Sequence, residues 1–135
     1  MNKAWNEYGF GFSLDECDME SVANFLADKC GYESEKKELL TCDNYFDMEA
    51  IVDDQVSTVI ASKINEETKT NIFSGFPADE ADHGEMIGVG PCFPWQVHGV
   101  RYSKKECDEI LKRYASELGA GKDLENDEFE MEYMS

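Results

Sequence analysis

The pattern of apolar residues predicts an α+β fold, with three main helices packed on a small, mostly antiparallel sheet of short strands. Three features carry the prediction. Two Ser-initiated capping boxes each open an amphipathic stripe, at Ser13-Leu14-Asp15-Glu16 and Ser103-Lys104-Lys105-Glu106. A third stripe runs from Asp47 for about five turns with no Gly or Pro. After Thr70 the chain breaks into short apolar pieces punctuated by Gly75, Pro77, Gly84, Gly88, Gly90, Pro91 and Pro94.

In chain order, Tyr8, Phe10 and Phe12 alternate with Gly9 and Gly11, the period of a strand with one aromatic face. Asp18 is a second cap before Met19, Val22, Ala23, Leu26 and Cys30, which recur at helical spacing up to Gly31. Glu33 to Asn44 is polar and reads as a loop with a helical turn at Glu35–Leu40. Met48, Ile51, Val52, Val56, Val59, Ile60 and Ile64 then mark one central helix. Its β-branched residues are poor intrinsic helix formers and need tertiary packing. Asn71–Phe76, Met86–Val89 and Phe93–Val97 are expected as short strands and turns, and the doublets Gly9-Phe10-Gly11 and Gly88-Val89-Gly90 as turns or bulges. Cys107, Ile110, Leu111, Tyr114 and Leu118 form the stripe of the last helix, ending before Gly119. Residues 1–122 are thus expected as a single domain. Residues 123–135 hold six acidic and no basic side chains, and the alternation of Phe129, Met131 and Tyr133 with Glu128, Glu130 and Glu132 predicts an edge strand of that domain rather than a disordered tail.

A chain of 135 residues with 41% hydrophobic content, eight Phe, six Tyr and two Trp can bury a core of its own. Thirty acidic residues against twelve basic ones leave a formal charge of −18. Bare nucleic acid and anionic membranes are therefore poor ligands, whereas a basic protein partner is steered toward such a surface. Cys17, Cys30, Cys42, Cys92 and Cys107 are odd in number and contain no C-x-x-C pair, so no disulfide framework is expected. With no apolar stretch after Met1 of the kind a signal peptide needs, and no run long enough to span a bilayer, the expected compartment is the cytoplasm.

Catalytic and metal patterns are weak. Only His83 and His98 are available as imidazole bases, and no G-x-S-x-G or P-loop occurs. Cys92 and His98 make an arbitrary pair. Asp79-Glu80-Ala81-Asp82-His83-Gly84-Glu85 is dense in hard ligands but places Ala81 where a calcium loop needs a ligand. Zinc could be assembled from Cys92, His98 and a distant Cys17, Cys30, Cys42 or Cys107, but the two-residue spacing that marks such sites is absent. The expectation is no cofactor and no enzymatic activity.

The acidic faces are the leading candidates. On a strand, Glu128, Glu130 and Glu132 stand about 6.6 Å apart on one side, so they imitate a phosphate backbone in sign and roughly in spacing. Asp53 and Asp54 belong to a second acidic patch near the start of the central helix. Trp95, in Pro91-Cys92-Phe93-Pro94-Trp95, is either a core plug or an aromatic anchor for a partner.

In size, charge, expected compartment and lack of a catalytic motif, the chain resembles the small acidic inhibitors that phages and mobile elements deploy against bacterial defence, the anti-CRISPR and antirestriction proteins. The resemblance is one of overall character and transfers no residue roles. It implies a non-enzymatic inhibitor that binds a nucleic-acid enzyme, foremost an RNA-guided CRISPR nuclease, through an acidic surface and blocks DNA or guide binding. The alternative is a structural or adaptor protein of a mobile element that binds a protein partner through the apolar loop at Trp95, its acidity serving solubility.

Overall fold

The computed structural model describes residues 5–76, 85–96, 99 and 101–133. Four strands, β1 (Trp5–Ser13), β2 (Ser74–Phe76), β3 (Met86–Val89) and β4 (Asp127–Tyr133), form one antiparallel sheet in the order β2-β3-β1-β4. Five helices, α1 (Met19–Lys29), α2 (Lys36–Leu40), α3 (Tyr45–Val52), α4 (Val56–Thr68) and α5 (Lys104–Glu117), complete the α+β architecture among the described residues. None of these helices is long and apolar enough to cross a membrane.

The caps read from the sequence operate as side-chain hydrogen bonds. Ser13 Oγ accepts from the Asp15 N–H and opens a short 3-10 turn, after which Asp18 accepts from the Ser21 N–H at 3.0 Å to start α1. Ser103 Oγ accepts from the Glu106 N–H and donates to the Glu106 carboxylate, which starts α5. The turn expected near Leu40 is α2, and Leu39 carries it into the core.

The single central helix expected from the stripe is in fact two. Asp53 adopts the left-handed conformation at φ 55°, its N–H closes the end of α3 onto the Glu49 carbonyl, and α4 restarts three residues later. Apolar periodicity runs through the break because Met48, Val52, Val56, Ile60 and Ile64 all reach one core. A stripe records which side is buried and is blind to a change in helix direction. The segment around Trp95, expected among short strands and turns, holds a 3-10 turn at Pro94–Gln96.

The helices cover one face of the sheet. Phe10, Phe12, Ile87 and Val89 share one buried cluster with Val22 and Leu26 of α1, Ile60 of α4 and Leu111 of α5. The opposite face carries a small second cluster of Phe76, Met86 and Phe129. Gly11 and Gly88 are not turn residues. They sit opposite each other in the β1–β3 ladder, and a Cβ on either would run into the carbonyl oxygen of Ile87 or of Phe10. Gly9 leaves the space into which the Phe129 ring folds. That lets Phe129 meet Phe76 edge to face at 5.2 Å across two intervening strands.

Candidate acidic docking groove

The acidic C-terminal segment is tied to the sheet through β4, which pairs with β1 from Trp5↔Tyr133 to Gly11↔Asp127. The chain leaves α5 at Leu118, turns through Gly119 at φ 84°, and returns along Gly121–Glu125 to enter β4. Asn126 anchors the return by donating from Nδ2 to the Asp108 carbonyl and side chain. Between this loop, the start of β4 and the end of β1 lies a groove of about 540 Å³.

Its chemistry is one-sided. Met86, Leu124 and Phe129 contribute apolar surface, and the acidic residues Glu16, Asp123, Glu125, Asp127 and Glu128 line it. No lysine or arginine lines the groove among the described residues, and none of these five carboxylates is in an ion pair there. Lys122, although adjacent in sequence to Asp123, lines a separate small cavity beside α5. Among the described residues the ion pairs instead lie on the helices, and Lys29 reaches Glu117 at 2.6 Å and Glu67 at 3.5 Å, joining α1 to α5 and α4. Five like charges packed around apolar surface repel one another, and a cation with a hydrocarbon stem relieves both problems at once.

The sequence-derived candidates fall in three places. Glu128 lines the groove, and exposed Glu130 lies one strand repeat further along the same face of β4. Glu132 belongs to β4 opposite Asn6, completing the backbone row. Asp53 and Asp54 are exposed at the α3–α4 junction, and α4 packs on β2 and β3, so this patch is not part of the groove at the β4 side of the sheet. Trp95 is half-buried, stacked on Phe93 at 4.7 Å and edge-on to Phe10 at 5.6 Å. It closes the end of the core there. Of the motif candidates, His83, His98 and the run from Asp79 to Gly84 lie outside the described residues.

Sequence patterns do not single out Glu16, Asp123, Glu125 and Asp127. The capping-box role accounts for Glu16, and the acidic run from Asp123 has no partner surface until Met86 and Phe129 are brought beside it. Nor do they single out Phe46, whose ring is 79% exposed on the first turn of α3.

Burial, helped by neighbouring carboxylates, pushes the Cys17 thiol up to about 12, and the same causes take Cys107 to about 11. Burial raises Cys30 to about 11 against the opposing pull of Lys63. Thiols raised in this way are weak nucleophiles at neutral pH. No three His, Cys, Asp or Glu side chains converge as a metal site among the described residues. No protein-family model, no curated protein and no solved structure matches this chain.

Proposed function

We propose that this protein is a charge-based inhibitor that docks on a basic protein surface through the groove and β4, denying that surface to nucleic acid. The supporting observation is the groove itself: five acidic residues, without an ion-pair partner among the described residues, around apolar side chains on a molecule of net charge −18. Lysine and arginine match it, with a methylene stem for Phe129 and Met86 and a charged head for the rim. Enzymes that hold DNA or RNA present rows of such side chains to the phosphates, and an anionic competitor gains from the same counterion release. An RNA-guided nuclease is the foremost target of this kind, blocked at DNA or guide binding with no reaction catalysed by the inhibitor.

The test is a titration of the protein against DNA binding and cleavage by an RNA-guided nuclease at two salt concentrations. The expected result is loss of DNA binding that weakens as salt rises. The combined variant Asp123→Lys, Asp127→Lys, Glu128→Lys should lose inhibition by roughly tenfold or more while keeping its circular dichroism spectrum. Full inhibition by that variant rejects the groove, and no inhibition by the native protein at micromolar concentration rejects this class of target.

A further inference from the structure

β4 ends the sheet. Over its seven residues it is hydrogen-bonded to β1 on one side, and on the other side no strand pairs with it among the described residues. A free edge of this kind offers a row of main-chain donors and acceptors to any extended segment. The opposite edge, β2, has only three residues and offers far less. Asp127, Glu128 and Glu130 are all exposed along β4, and Asp127 and Glu128 also line the groove, so the acidic cavity reaches the strand that forms the open edge.

The charge on that surface decides what can pair there. A second copy of this chain laid against β4 would bring carboxylates opposite carboxylates, which opposes self-pairing. A strand with Lys or Arg at alternate positions meets Glu128 and Glu130 with opposite charges while its amides complete the ladder. Resting on the proposed docking function, we infer that the partner engages as an extended basic segment that adds to β4 as a fifth strand, with one basic side chain entering the groove. The partner is thus recognised by backbone as well as charge, which a folded basic surface alone does not supply.

The probe is a synthetic peptide of alternating lysine and valine, with spermine as a compact cation that cannot form a strand. The expected result is salt-sensitive peptide binding in which alternate amides of residues 127–133 exchange at least about tenfold more slowly, with no such protection from spermine. The pair Glu128→Lys, Glu130→Lys should weaken the peptide by roughly tenfold, while Glu33→Lys, Glu38→Lys, an equal charge change away from the sheet, stays within about twofold. Peptide binding without amide protection overturns strand addition and leaves charge docking standing. Equal loss in both pairs of variants also overturns it, because net charge alone would then explain binding. Absence of peptide binding alongside intact nuclease inhibition rejects the inference alone; absence of both rejects the docking function as well.

Discussion

Glu85 shows how one residue joins distant parts of this chain. Its carboxylate is buried and accepts from both the Ser57 N–H at 3.1 Å and the Ser57 hydroxyl at 2.9 Å, supplying the start of α4 with the cap that Gln55 does not provide. Its carbonyl accepts from the Leu14 N–H at 2.8 Å. Glu85→Ala is therefore expected to cost about 2 kcal/mol by urea denaturation, a lost cap plus a buried N–H left without a partner. Beside it, burial foremost, then the charge and hydrogen bonding of Glu85, raise the Glu49 carboxyl above its ordinary value of 4.5. A raised carboxyl holds its proton more tightly folded than unfolded, so its contribution to stability is present below that ordinary value and lost as pH rises through the folded one. Glu49→Gln should raise the melting temperature at pH 7 and flatten its slope over that window. An unchanged slope would mean that Glu49 titrates as an exposed group. Glu67 has the opposite sign. The Tyr114 hydroxyl, donating at 2.6 Å, leads in holding its carboxyl low, so its contribution is lost as pH falls through the lowered value.

At the scale of elements, the β1–β3 ladder depends on the facing pair Gly11 and Gly88, because added side-chain atoms would meet main chain rather than a movable side chain. Gly88→Ala should destabilise by about 3 kcal/mol or more in a denaturant titration, above the usual range for a tight core substitution. Ser103→Ala, which removes only the α5 cap, should cost about 1 kcal/mol. These two cases mark what is legible in sequence and what is not. Caps are local chemistry, and a few neighbouring residues suffice to place the start of α1 at Asp18 and of α5 at Ser103. The two glycines pass for turn residues because the carbonyl that excludes a Cβ comes from a strand more than seventy residues away. The α3–α4 break is hidden for a related reason: Asp53 tolerates φ 55° without advertising it, and the apolar stripe continues on both sides. Asn65 adds a link of the same non-local kind, pairing both its amide atoms with the main chain of Phe73 to hold the end of α4 to the approach of β2.

Over the whole molecule, the charge of −18 opposes compaction by self-repulsion. Stability should rise when sodium chloride is increased from low to physiological concentration, where the Debye length is about 8 Å, and a thermal melt series checks it. A flat or falling series would mean that ion pairs such as Lys29–Glu117 outweigh the repulsion. Composition by itself determined the acidity and the sufficiency of apolar residues for a core, since these depend on counts. Local patterns determined the α+β class, the start of α1 and α5 and the extended character of the C-terminal segment, since caps and periodicity act within a few residues. Only the tertiary structure decided that β4 lies at the open edge beside β1, that Phe129 and Met86 share a face, and that Glu16 joins Asp123, Glu125, Asp127 and Glu128 around them. The physical reason is that a groove is made of surfaces from separate segments, and its charge density comes from a distance between side chains that no single stretch of sequence contains.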